Sequence, residues 1–403
     1  MLDLFAGCGG LTDGFMQTGL FDEITGVEWK KDAINTLRHR LKNKWGKFDA
    51  EESLIHFDIQ QEDKLFYGCS DDSIYGSHKG LDYYVNKSNG IDVIIGGPPC
   101  QAYSVAGRVR DEHGMKGDYR NFLFEHYLAV VDRYRPKLFI FENVPGLLSA
   151  RPTGVYVKDI IAQEFANKGY TITNNLSKYA QFNASDFSVP QNRKRILILG
   201  LNNEFFKDYN LQEILKDFYL NIFPSHKGRK KYTVKEAIGD LPICTPVDNN
   251  YKKRKSHSIP ECNVSWHIPR YTNLRDEDTF KTLALDIESG KREYNSKRIA
   301  DLYEEKVGSK SPIHRYHVLE PNLPSTTIIA HLYKDGNRFI HYDANQMRSI
   351  TPREAARLQS FDDDYEFNGS MGNVYEMIGN AVPPQLAKSL AYSVSDFIKK
   401  YLF

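Results

Sequence analysis

Gly96-Gly97-Pro98-Pro99-Cys100-Gln101 closes an apolar run, Ile91 to Ile95, that is broken only by Asp92. A short apolar run ended by two glycines and two prolines reads as a buried parallel strand that stops abruptly. The turn leaves Cys100 at the carboxyl end of the strand, where ligands bind in open α/β sheets. The prolines fix φ, so the thiol is presented in a stiff geometry. Glycines at 107, 114 and 117 with charges between them then predict a loop long enough to close over a ligand. Free cysteines are mostly buried packing residues; a proline pair before one at a strand end favours a nucleophile.

A chain of 403 residues, 41% of them hydrophobic, can bury one large core and a smaller one, so two domains are expected. The net charge of +1 excludes a polycation, and any nucleic-acid surface must come from local segregation of charge. Cysteines at 8, 69, 100, 244 and 262 form no CxxC pair, which argues for a reduced intracellular protein with neither a disulfide framework nor a metal. No apolar run has the length of a membrane span or a signal peptide, so a soluble, cytoplasmic protein is expected.

Met1 to Phe5 reads as a strand, Ala6-Gly7-Cys8-Gly9-Gly10-Leu11 as a glycine turn, and Thr12 to Gly19 as a helix, an order that brings backbone close to a ligand. Only Met1 and Leu2 precede Asp3, so this strand is short. Thr12 stands where a nicotinamide fingerprint needs its third glycine. A second strand, Glu23 to Trp29, ends in Glu28, about 20 residues past the glycine turn, where such folds use a carboxylate on ribose hydroxyls. Residues 60 to 90 are polar, lack a clear period and predict a surface excursion.

Asn121 to Tyr134 has helical spacing, and Leu138 to Phe141 is a second buried strand that delivers Glu142-Asn143-Val144-Pro145-Gly146 at its carboxyl end. A carboxylate there is poorly hydrated, a setting that suits a hydrogen bond or a proton given to a ring nitrogen. Gln191-Asn192-Arg193-Lys194-Arg195 precedes the strand Ile196 to Gly200, and alternation predicts Arg193 and Arg195 on one face. Between residues 224 and 275 there are eleven Lys or Arg against four Asp or Glu, and Tyr251, Trp266 and Tyr271 are interleaved, a pattern suited to phosphate contact. Thr351, Pro352 and Glu354 predict a capping box opening a helix, and Gln385 to Lys400 a final helix with Leu386, Leu390 and Val394 on one face.

GGPPCQAYS, DLFAGCGGL, ENVPGL, QNRKR and GNAVPP resemble, in this chain's own positions, the motifs of the prokaryotic DNA cytosine-5 methyltransferases, across nearly the whole chain. Relatives that methylate exocyclic amines carry an aromatic residue where this chain has Cys100. The resemblance implies a class I, Rossmann-like α/β fold with a doubly wound, mostly parallel sheet and a smaller target-recognition domain. It places a catalytic domain at 1–222, the recognition domain at 223–345, a motif organising it at 346–365, and a return to the catalytic domain at 366–403.

By the same resemblance Cys100 attacks carbon 6 of cytosine, Glu142 engages ring nitrogen 3, and Arg193 with Arg195 hold the phosphate and base oxygen. S-adenosylmethionine, leaving as S-adenosylhomocysteine, meets Phe5, Ala6, Gly7, Cys8, Gly9, Gly10, Leu11 and Pro98, with Glu28 on ribose. Trp29, Asp58 and Ile59 would lie on adenine, and Asn380, Ala381 and Val382 near the methionine portion. Gln101, Ser104 and the cluster Lys252, Lys253, Arg254, Lys255 are expected on double-stranded DNA. A monomer near the nucleoid, accompanied by a cognate restriction endonuclease that it does not touch, completes the picture. Tyr103 stands where the family often has phenylalanine. A transfer-RNA cytosine-5 methyltransferase and a silent DNA- or cofactor-binding protein are the alternatives; the Cys-Phe-Thr signature of the former is absent.

Overall fold

The computed structural model describes residues 1–99, 123–151, 154–247, 255–308 and 316–403. They form two compact units: Met1–Phe187, Lys194–Arg229 and Val382–Phe403 in the first, and Ser188–Arg193 with Lys230–Ala381 in the second. This division differs from the expected one at both seams. The first unit runs on to Arg229, and residues 366–381, expected in the return to the catalytic domain, belong to the second unit.

Among its described residues the first unit has ten strands: β1 Leu2–Leu4, β2 Thr25–Glu28, β3 Leu54–His56, β4 Cys69–Asp72, β5 Gly76–His78, β6 Val93–Gly96, β7 Leu138–Asn143, β8 Tyr170–Thr171, β9 Gln181–Asn183 and β10 Lys194–Asn202. The main sheet has the order β3-β2-β1-β6-β7-β10-β8, with β9 also pairing β10. From β3 to β7 all pairs are parallel, and β10 is antiparallel to β7. The chain winds outward from β1 through β2 and β3, then returns to its other side as β6 and β7. The carboxyl ends of β1 and β6 therefore flank the switch point, where doubly wound sheets bind ligands.

Leu2, Leu4, Ile94, Ile95, Leu138, Phe139 and Ile140 are all 0% exposed, which explains why these strands read as continuous apolar runs. The helix Gly10–Met16 starts earlier than expected, because Gly9 with φ 90° can act as a left-handed N-cap. It packs on the last helix, Pro384–Leu402, which buries Leu386, Leu390, Val394 and Phe397 along one face. The stretch 60–90 is more ordered than its polarity predicts. It holds the helix Glu62–Tyr67, the hairpin β4–β5 and the helix Leu81–Lys87, and it buries Leu65, Phe66, Leu81, Tyr84 and Val85.

The second unit has helices but only isolated β-bridges among its described residues. Phe280, Leu283, Ala284, Tyr316, Val318, Ile340 and Ala344 form one core. The capping box is present: Glu354 N donates to Thr351 Oγ1 at 3.2 Å, and Thr351 N to Glu354 Oε2 at 2.7 Å. Glu354 also takes two Arg348 N–H bonds of 2.7 Å, with both side chains 1% exposed. That pair holds the Glu354 carboxyl near pH 2: burial pushes it upward, and the adjacent guanidinium outweighs burial.

Candidate active site

The carboxyl ends of β1, β2, β3, β6 and β7, with the amino end of antiparallel β10 and with Val382 before the last helix, carry the described candidate residues of the first unit. After β1 the chain curls through Phe5 (φ 58°), Gly7 (φ 57°) and Gly9 (φ 90°). Gly7 N donates to Glu28 Oε2 at 2.9 Å and Lys30 N to Oε1 at 2.8 Å, so the acid ending β2 clasps the glycine loop and its own turn at once. Burial pushes the Glu28 carboxyl up, opposed by the N–H bonds from Lys30 and Gly7. A Cβ on Gly10 would collide with the Val382 carbonyl oxygen, so only glycine lets the returning chain approach. Ala6, Cys8 and Leu11 are buried, and burial pushes the Cys8 thiol up to about 12, which leaves it a packing residue. Trp29 is 52% exposed, Asp58 is half-buried and Ile59 is buried. Val382 is buried in the first unit. Asn380 and Ala381 lie in the second, at the end of the helix Met371–Asn380.

Pairing of β6 with β7 sets Gly96 opposite Phe141 and brings the two strand-end motifs together. Asn143 Nδ2 donates to the carbonyl of buried Pro98 at 3.2 Å. A Cβ on Gly97 would lie 2.7 Å from Glu142 Oε2, so the glycine admits the carboxylate beside the proline turn. Glu142 Oε1 is 2.7 Å from Arg195 Nε, with both side chains 12% exposed. Burial lowers the Arg195 pKa while Glu142 opposes it. This immediate cation was not foreseen for Glu142. It follows from register: Leu197 of β10 pairs with Glu142, so Arg195 is the diagonal neighbour on the same face.

Arg193 departs from the expectation. The strand starts at Lys194, so alternation does not reach Arg193. Its guanidinium is 1% exposed and donates to the carbonyls of Ile328 (2.7 Å), Gly379 (3.0 Å) and Ala381 (2.9 Å), all within the second unit. It is a structural donor there, and only Arg195 stands by Glu142. Cys100, Gln101, Ser104, Lys252, Lys253 and Arg254 lie outside the described residues. Lys255 is exposed and lines, with Arg270, Tyr271 and Tyr333, a cavity of about 460 Å³ in the second unit. Among the described residues no cluster of three His, Cys, Asp or Glu is placed to hold a metal, and no helix is long and apolar enough to cross a membrane.

A doubly wound sheet with a glycine loop after its first strand, an acid ending its second and the proline turn at the switch point defines the class I S-adenosylmethionine-dependent methyltransferase fold. The family model for C-5 cytosine-specific DNA methylases matches residues 1–396, and the chain belongs to that family. Type II methyltransferase M.Bpa9945I of Bacillus paralicheniformis is 30% identical over 454 residues, covering 99% of each chain. Type II methyltransferase M.DdeI of Desulfomicrobium norvegicum is 32% identical over 419 residues, covering 98% of this chain and 88% of that one. Two solved structures share the fold. A prophage-encoded E. coli protein described as a DNA modification methyltransferase has a TM-score of 0.62 at 22% identity over 99% of each chain. The S. pombe Dnmt2 methyltransferase has 0.53 at 15% identity over 100% of this chain and 99% of its own. The protein is a DNA cytosine-5 methyltransferase; the family and the relatives do not favour the transfer-RNA alternative.

Proposed function

We propose that the chain methylates carbon 5 of a cytosine in a specific duplex sequence through a covalent bond between Cys100 and carbon 6. The observation that carries this reading is Glu142 seated against Gly97 and paired with Arg195, at the turn that leads into Cys100. Carbon 6 is out of reach inside the stack, so the base leaves the duplex. The Cys100 sulfur adds to carbon 6, and Glu142 steadies the electrons that flow into the ring by hydrogen bonding at nitrogen 3. Arg195 orients the carboxylate and offers its remaining N–H groups to the base oxygen or the phosphate. Once carbon 5 has gained its methyl group and lost its proton, the carbon–sulfur bond breaks and Cys100 is restored.

The residues at β1 and β2 fit S-adenosylmethionine: a glycine loop curled by three positive φ angles, a buried carboxylate beneath it and an exposed tryptophan beside it. When bound, it supplies the electrophilic methyl group. Phe5 to Leu11 and Pro98 line the loop side, Glu28 takes the ribose hydroxyls, Trp29, Asp58 and Ile59 the adenine, and Val382 with Asn380 and Ala381 the methionine end. Gln101, Ser104 and Lys252 to Lys255 contact DNA. The names of the relatives as Type II methyltransferases support a modification enzyme that works beside a restriction endonuclease, and we read it as a cytoplasmic monomer.

Bisulfite sequencing of a plasmid library exposed to the protein tests the activity and reads its target. Cys100→Ser is expected to abolish transfer while duplex binding persists, and the native enzyme to be trapped on DNA carrying 5-fluorocytosine. Equal transfer by Cys100→Ser, or no trapped adduct on a methylatable site, overturns the mechanism.

A further inference from the structure

The hairpin β4–β5 received no role from the sequence, yet it is fastened beside two of the three residues assigned to adenine, Trp29 and Asp58. Its turn is rigid: Asp72 Oδ1 accepts from Ile74 N (3.0 Å) and Tyr75 N (3.1 Å), while Oδ2 takes Lys64 Nζ at 2.8 Å. This aims the half-buried Tyr75 at the end of β3. There its ring meets His56 and Phe57 edge-on, each at 5.1 Å between centroids. Edge-to-face pairs at that distance are favourable and directional.

Both contacts lead to the candidate adenine end. His56 Nε2 lies 2.9 Å from the Trp29 carbonyl oxygen, which can only accept, so the ring donates and fixes the backbone that carries Trp29. Phe57 is 0% exposed, gripped by Tyr75 on one side and His78 at 4.4 Å on the other, and it is the residue before Asp58. The Tyr75 phenol is pushed up by burial first and by the Asp58 carboxylate next.

We propose that Tyr75 is a positioning residue for cofactor recognition, holding Trp29 through His56 and Asp58 through Phe57 so that both meet the adenine ring. The inference rests on the assignment of this end of the sheet to S-adenosylmethionine. A ring that serves both residues accounts for a polar, aperiodic insertion being folded tightly against β3.

The test compares the full-length native enzyme with Tyr75→Phe and Tyr75→Ala, using S-adenosylhomocysteine in calorimetry and S-adenosylmethionine in steady-state transfer. Tyr75→Ala is expected to weaken binding about tenfold and to raise the cofactor KM in proportion, with kcat at saturation changed less than twofold and the DNA KM constant. Tyr75→Phe keeps the ring and is expected to lose no more than about threefold. In an Asp58→Ala background the further loss on Tyr75→Ala should shrink to about threefold, since one of its two routes is gone. An inosine analogue of S-adenosylhomocysteine lacks the exocyclic amine, and discrimination against it should fall in Tyr75→Ala. Tyr75 variants that bind like the native enzyme, or losses fully additive with Asp58→Ala, overturn the proposal. If Tyr75→Ala fails to fold, Tyr75→Leu, which fills the space without an aromatic ring, is measured in its place, and native affinity and native discrimination in that variant overturn the proposal. Failure of the native enzyme to bind the cofactor is a different result, and it removes the site assignment itself.

Discussion

The two units keep order by different means. In the first, strands whose interior is apolar pair along continuous ladders, so the sheet backbone satisfies its own polar groups, and buried polar side chains such as the Arg40–Asp13 pair stand outside the ladders. The second has isolated bridges in place of ladders. Its centre holds Gln191, Arg193, Arg348, Arg353, Glu354 and Gln359, all at 1% exposure or less. Arg353 donates to the carbonyls of Ser265, Asp362 and Tyr365, and Gln359 to that of Ile378. Gln191 donates to the Leu358 carbonyl and accepts from Ile328 N. Where no ladder repeats, each buried carbonyl needs its own side-chain donor.

The largest expected effect follows from that. Glu354→Ala leaves Arg348 buried without its carboxylate and is expected to cost about 3–5 kcal/mol in denaturant unfolding. That matches or exceeds a large apolar truncation in the sheet, such as Ile140→Ala at about 2–5 kcal/mol. Glu142→Gln should slow transfer by orders of magnitude, and because it leaves Arg195, 12% exposed, without its carboxylate while the amide oxygen can still accept, it should cost about 1–3 kcal/mol in unfolding, less than Glu354→Ala. A cost under about 1 kcal/mol for Glu354→Ala would remove the contrast between the units.

The next effect tests the polar exception in the first unit. Thr12 Oγ1 donates to Asp3 Oδ2 at 2.6 Å, and Asp3 Oδ1 and Glu23 Oε2 are buried with no hydrogen-bond partner. Burial pushes the Asp3 carboxyl from 3.8 up to about 7. The folded state thus holds a proton that the unfolded chain releases. The stability contributed is complete below about pH 4 and is lost as pH rises through about 7, on the order of a few kcal/mol. Asp3→Asn cannot ionise, so its thermal midpoint should fall less between pH 5 and pH 8 than that of the native enzyme. Equal slopes would show that Asp3 is ionised in the fold.

The smallest effect concerns the basic cluster. Replacing Lys252, Lys253, Arg254 and Lys255 with alanine should weaken binding to every duplex alike. It should also flatten the dependence of log affinity on log salt by roughly 0.9 for each phosphate left without its cation. An unchanged slope with intact binding would place these residues off the DNA.

Much of the first unit was legible because it rests on local rules. Apolar runs mark buried strands, glycines and prolines mark their ends, and the spacing of Gly7 from Glu28 follows from one strand–turn–helix–strand unit. The capping box at Thr351 and the helix that buries Leu386, Leu390 and Val394 obey the same logic. Residues 60–90 escape it because a hairpin tied by Asp72 and Lys64 has no periodic signature, and its apolar contacts lie on β3, outside the stretch itself.

What the sequence determined by itself was the address of a glutamate and a glycine loop, each at the end of a strand, since strand ends are written in neighbouring residues. Tertiary structure alone decided which groups meet. Antiparallel register brought Arg195 to Glu142, while Arg193, two residues earlier, was claimed by carbonyls more than 130 positions along the chain. No local pattern separates two arginines that differ only in where the chain goes next. Their roles were settled by whether a carboxylate or an unladdered backbone had to be satisfied at the point each one reached.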